Sequence, residues 1–301
     1  MTTRPSIPLG VKALLLAAVL NTVAVVGQVT ILGKLVFDIT GRELDLGLLG
    51  LAEFLPTALL SPFTGAITDR IDRRRVMAFG LVGELATAIA IFAFVRTEPD
   101  TIGPIFLLVI LFGVARSFYA PPSRALPVDL APAGLVERIL ALNTATRQVG
   151  IILGPILAGF LYVVDPATPF LVGTVLFALS LLVLTVVPDA GVERLATAGV
   201  RAALADAMEG LRFVRRTPVL FGAISLDLFA VLFGGAIALL PAIADERLGV
   251  GAVGLGWLRA SVGIGAAGMA FWLAARPIKR RVGPILLAAV AVFGVATVVL
   301  G

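Results

Sequence analysis

Gly65-Ala-Ile-Thr-Asp69-Arg70-Ile-Asp72-Arg73-Arg74-Arg75 separates two long apolar stretches, and the reading of those stretches decides the fold. Residues 45–67 precede it and residues 76–95 follow it. Each offers about 20 mostly apolar residues, the length a helix needs to cross roughly 30 Å of hydrocarbon. Working outward, the pattern recurs at 11–37, 102–124, 139–163, 168–187, 218–241, 250–274 and 283–301. The whole chain of 301 residues is 59% hydrophobic and only 14% charged, with a mean hydropathy of +1.06. A soluble domain carries about 25% charged residues, so lipid is the solvent here. Backbone groups in lipid must be paired within the segment, and a barrel would show alternating strands of about ten residues. The predicted fold class is therefore all-α, a polytopic transmembrane helix bundle.

Composition closes off several kinds of function. The chain has no cysteine and no histidine, which excludes disulfides, thiolate chemistry and Cys/His metal sites. Any side chain that carries a proton must then be Asp or Glu. The net charge of +5 lies in short clusters between apolar runs, so nucleic-acid binding is not expected. No phosphate-binding glycine loop is present and no nucleophile triad is apparent, so neither an enzyme nor a cofactor is expected. The first apolar run is too long for a signal peptide, whose core spans roughly 7–15 residues, and reads as a retained span.

Basic residues orient the spans. Alternate connections hold Arg4 and Lys12, then Arg70 and Arg73 to Arg75, Arg124 and Arg138, the group from Arg194 to Arg216, and Arg276 to Arg281. The opposite connections hold only Arg42, Arg96 and Arg247. This bias places the N-terminus in the cytoplasm. The longest polar connection sets Val200, Leu204, Met208 and Leu211 at helical spacing with Arg201, Asp206, Glu209 and Arg212 between them, as in a helix lying on the membrane surface. The expected organisation is a six-span unit over 1–187, a linker over 188–217, and three spans of a second unit over 218–301. Gly47/Gly50 opening the second span and Gly251/Gly254 opening the eighth suggest an internal repeat. Gly301 falls inside an apolar run, so three further spans are expected beyond it.

By residue chemistry, Gly65 permits close helix approach, Asp69 can cap a helix N-terminus, and the arginines bind Asp69 or lipid phosphates. The loop also resembles the signature of the major facilitator superfamily, Gly-x-Leu-x-Asp-Arg-x-Gly-Arg-Lys/Arg-x. Gly65, Asp69, Arg70, Arg73 and Arg74 match; Ile67 replaces Leu and Asp72 replaces the second Gly. The resemblance implies a cytoplasmic gate latch at this loop. In the fifth span, Gly150-Ile-Ile-Leu-Gly154-Pro155-Ile-Leu-Ala158-Gly159 has the small residues that close helix packing requires, and a proline that kinks. It also resembles the family's antiporter signature, which implies export. Arg116 in the fourth span resembles the family's arginine there and implies a part in proton coupling; the alternative is a side chain reaching the interface. Leu49-Gly-Leu-Ala-Glu53-Phe-Leu-Pro56, the run from Asp227 to Ala236, and Gly256-Trp-Leu-Arg259-Ala are similar to the enterobactin-exporter and macrolide-efflux branch.

Charges near mid-bilayer cost at least about 2.5–3.5 kcal/mol each and call for a reason. The candidates are Glu53, Arg116, Arg147, Asp227 and Arg259, with Asn21, Gln28, Asn143 and Gln148 as further polar positions. These fall in spans that line or flank a central cavity in the family, and the third and sixth spans are read as having none. Burial favours the neutral carboxyl, as proton carriage requires, which singles out Glu53 and Asp227. Asn21, Gln28, Asn143, Arg147, Gln148 and Arg259 are the expected cavity residues, and an Asp227–Arg259 structural bridge is the alternative for that pair. The expectation is a monomeric proton-coupled exporter of small amphipathic molecules in a bacterial inner membrane, with lipids as neighbours. An uptake symporter, a lysolipid flippase and a non-transporting scaffold or sensor are the rivals.

Overall fold

The computed structural model describes residues 6–189, 208–209, 212–233, 236–276 and 282–300. Among the described residues the regular elements are helices: α1 (Leu9–Thr40), α2 (Glu43–Thr68), α3 (Arg73–Val95), α4 (Gly103–Asp129), α5 (Val136–Val164), α6 (Thr168–Leu184), α7 (Pro218–Phe233), α8 (Ala236–Ala242), α9 (Gly251–Ala275) and α10 (Val282–Leu300). α8 runs directly into a π turn, Ile243–Arg247. Helices α1 to α5 and α9 hold segments long and apolar enough to cross a membrane; α6 and residues 283–299 of α10 are apolar but shorter.

α1 lies at the centre of the first six helices, against α5 and α6. α3 packs on α4 and α6, and α2 packs on α4. The far side of α5 carries α9, so α5 joins the first six helices to the later ones. Apolar side chains alone do not drive helices together in lipid, and small residues make the close contacts. A Cβ on Gly150 would fall 2.6 Å from the Thr22 Cβ of α1, and one on Gly154 2.8 Å from the Val23 carbonyl. Between α3 and α4, a Cβ on Gly80 would fall 2.6 Å from the Tyr119 nitrogen. Between α5 and α9, a Cβ on Gly256 would fall 2.5 Å from the Pro155 carbonyl oxygen. Phe112 and Phe177, both fully buried, meet edge to face at 6.1 Å in the bundle core.

Several expectations shift. α4 continues to Asp129 with Pro121, Pro122 and Pro127 inside it, so Arg116 stands mid-helix rather than near an end. The seventh window is two described helices flanking 234–235. Gly47 lies inside α2, whereas Gly251 starts α9 in the left-handed region (φ 59°), so the proposed repeat pairs glycines with different jobs. Val200, Arg201, Leu204, Asp206 and Leu211 of the expected surface helix lie outside the described residues, as do Lys279, Arg280 and Arg281.

Candidate functional site

α1, α2, α8, α9 and α10 line a cavity of about 370 Å³ that is open on one side. Its walls are apolar apart from Glu53 of α2 and Arg259 of α9, which act on each other electrostatically. Glu53 is set by a close crossing: a Cβ on Gly113 of α4 would fall 2.7 Å from the Glu53 carbonyl oxygen, and Thr57 Oγ1 donates to the Gly113 carbonyl at 3.1 Å. A carboxylate and a guanidinium facing one apolar space can engage a ligand's polar groups while the walls hold its apolar body.

The other expected cavity residues lie elsewhere. Asn21 is buried and its Nδ2 donates to Glu84 Oε2 at 2.5 Å. Gln28 is buried among α1, α5 and α6, and its amide makes no hydrogen bond. Gln148 Nε2 donates to the Gly263 carbonyl at 2.6 Å and ties α5 to α9. Asn143 is buried on α5. Arg147 shares a basic neighbourhood with Arg116 and Arg124 around Tyr119. Asp227 lies on α7, but its side chain is outside the described residues, so its expected bridge to Arg259 is too.

Glu84 corrects the reading of the third span as free of inner charge. It stands mid-way along α3, fully buried, with Oε1 making no hydrogen bond and Arg116 as the charged neighbour. Glu84 lies within the apolar window 76–95, which is read above as having no inner charge. The signal was present: a glutamate inside an apolar window, preceded by Gly80 and Gly83, which bring α4 close.

Charge clusters mark both ends of the bundle. At the arginine-rich end, Asp72 caps α3 by accepting from the Arg75 backbone N–H at 3.0 Å, so the departure at this position is a helix cap. Arg73 Nη1 bonds both oxygens of Asp129 on α4 at 2.8 Å, and Nη2 lies 3.4 Å from Asp69. Arg74 donates to the Thr185 carbonyl at 2.9 Å. Asp69 closes the C-terminus of α2, and no heavy atom of another element lies within 4 Å of a Cβ on Gly65, so the close approach expected there is not made among the described residues. At the opposite end, Lys34 pairs with Asp38 on α1 and lies 2.8 Å from Asp245 of the π turn. Tyr162 of α5 donates to Asp38 Oδ2 at 2.7 Å.

In the α5 glycine run, Gly150 and Gly154 seat the helix on α1, while Gly159 faces Ala252 and Gly256 of α9. The family model described as Major Facilitator Superfamily matches residues 14–301. The chain belongs to the major facilitator superfamily. Members of this family are transporters rather than enzymes. The Uncharacterized MFS-type transporter YfiS of Bacillus subtilis is 27% identical over 200 residues, 65% of this chain and 46% of that protein. Macrolide efflux protein A of Streptococcus pyogenes is 24% identical over 125 residues, 41% of this chain and 30% of that protein. The chain thus spans less than half the length of these relatives. Among solved superfamily structures, a bacterial homologue of the human lysosomal transporter Spinster, inward-facing and unoccupied, superposes with a TM-score of 0.67 at 16% identity, over 87% of this chain and 60% of that one. That likeness concerns the fold.

Proposed function

We propose that this superfamily protein is a proton-coupled exporter of small amphipathic molecules, working by alternating access in a bacterial inner membrane. The observation that carries this reading is the cavity of about 370 Å³ between the first six helices and the later ones, apolar except for Glu53 and Arg259. The similarity to a macrolide efflux protein adds to it, and macrolide-like drugs or siderophores are the substrates to try first. The basic bias of the connections puts the N-terminus and the arginine-rich end in the cytoplasm. Residues 1–187 form one half, 188–217 the linker, and 218–301 part of the other half. The two halves rock about the α5–α9 seam, where the Gly150–Gly159 run keeps the helices close. The loop with Gly65, Asp69, Arg70, Arg73 and Arg74 stands at the cytoplasmic mouth, where Arg73 and Arg74 brace the first half.

In this reading a proton taken up from outside neutralises Glu53 or Asp227 and competes with substrate for the cavity. Glu84 joins them as a carrier candidate, because a buried carboxyl with one amide donor has an alternative partner in Arg116. Arg116, Arg147 and Arg259 keep their charge throughout, and Arg259 draws the polar end of a substrate towards Glu53.

The test uses everted membrane vesicles holding the intact gene product. Luminal acidification is followed with a ΔpH dye while macrolides and siderophores are added singly. Proton release on adding a compound, lost in Glu53→Gln, Asp227→Asn or Glu84→Gln, is the expected result. Transport of a compound with no proton movement would refute the coupling, and no response to either class would refute the substrate assignment.

A further inference from the structure

We propose that Lys34, Asp38 and Asp245 form a latch over the Glu53–Arg259 cavity, with Asp245 holding it shut and Asp38 keeping the lysine paired when it opens. Lys34 has a side-chain exposure of 10% and two carboxylate partners on different bodies. Asp38 is one turn along α1 and travels with Lys34 whatever the later helices do. Asp245 stands on the π turn after α8, 2.8 Å from Lys34 Nζ. The Tyr162 hydroxyl holds Asp38 in place, and its ring lies 5.8 Å from Lys34 Nζ.

The position of the cluster ties it to the cavity. Gly33 and Pro241 both line the cavity, and a Cβ on Gly33 would fall 3.2 Å from Pro241 Cγ. Lys34 follows Gly33 directly, and Asp245 comes one turn after Pro241. The ion cluster therefore sits where α1 and the α8 end meet beside the cavity.

A buried ammonium is costly unless a carboxylate stays with it. When the later helices swing away, Asp245 leaves and Asp38 remains. The open state then contains no unpaired ammonium, so opening is cheap enough to recur in every cycle. Two neighbouring aspartates that look equivalent thus act in opposite directions: removing the Asp245 charge favours opening, and removing the Asp38 charge favours closure.

The reading rests on the proposed alternating access for its purpose, but its test needs neither substrate nor proton gradient. The chain has no cysteine, so Gly50→Cys gives a single reporter; Gly50 lines the cavity, and a Cβ there meets nothing within 4 Å. A membrane-impermeant maleimide is applied to each face in separate samples. From the face bearing the latch, Asp245→Asn labels about fivefold faster than the parent and Asp38→Asn about fivefold slower, a size typical of coupling between states. Asp245→Glu stays near the parent rate. As a second measurement, disulfide formation between Gly33→Cys and Pro241→Cys falls with Asp245→Asn and rises with Asp38→Asn. Equal shifts in one direction for the two neutralisations, or an unchanged rate in Asp245→Asn, would overturn the latch. A latch that behaves as stated in a protein moving no macrolide or siderophore leaves this inference standing and removes only the substrate assignment.

Discussion

The two ends of the molecule hold charge clusters with different wiring. At the arginine-rich end, Arg73 joins Asp69 of α2 to Asp129 of α4, and Arg74 reaches Thr185 and Asp189 after α6. All of these residues belong to the first six helices and their flanks, so these contacts brace one body. At the other end, Lys34 reaches from α1 to the π turn that follows α8. That contact resists the separation of two bodies. One cluster sets stability and the other, built on a single more deeply buried lysine, sets which way the cavity opens.

The same contrast holds for helix seams, and there the largest effect is expected. Gly150→Val drives a side chain into Thr22 and should destabilise the first six helices by about 3 kcal/mol, read as a lower midpoint of thermal unfolding in detergent. Gly256→Val, at the α5–α9 seam, should leave that unfolding step in place and instead expose α9 to limited proteolysis. If the two variants behave alike, the division into two bodies fails. Next in size, Arg73→Ala strands Asp129 and should cost about 2 kcal/mol, with maleimide labelling at Gly50→Cys unchanged. A change in labelling would mean that the arginine-rich end also governs opening. Asn21→Ala leaves Glu84 without its hydrogen bond and should cost about 1.5 kcal/mol, whereas Glu84→Gln, which keeps an acceptor for Asn21, should melt close to the parent. The smallest effect runs the other way. Gly65→Ala places a methyl in open space inside α2 and should stabilise by about 0.7 kcal/mol through helix propensity, a rise in the same melting midpoint. A loss there would restore the close approach expected from the loop signature.

Spans were legible because lipid imposes length and apolarity on every crossing, and the arginine loop was legible because charge has few tolerated places in such a chain. Glu53 and Arg259 could be picked out as charges inside apolar windows, and the cavity joins them. Which polar residues meet was not legible. Asn21 and Glu84 are 63 positions apart, and nothing in a uniformly apolar helix reports which face its neighbour covers. Lys34 and Asp245 lie on helices whose approach depends on how two bodies are docked, so neither stood out. Gly65 keeps its place in the loop, and among the described residues nothing meets a Cβ there.

The π turn at Ile243–Arg247 carries one more consequence. Its Leu248 N–H bonds the Ile243 carbonyl at 3.0 Å, one residue beyond α-helical spacing. A turn of this kind amounts to a single inserted residue, and each helical residue rotates the next side chain by about 100°. Deleting Ile243 or Ala244 would turn Asp245 away from Lys34 without altering any charge. Length variation at this one point is thus a route by which related sequences could gain or lose the outer closure in a single genetic step.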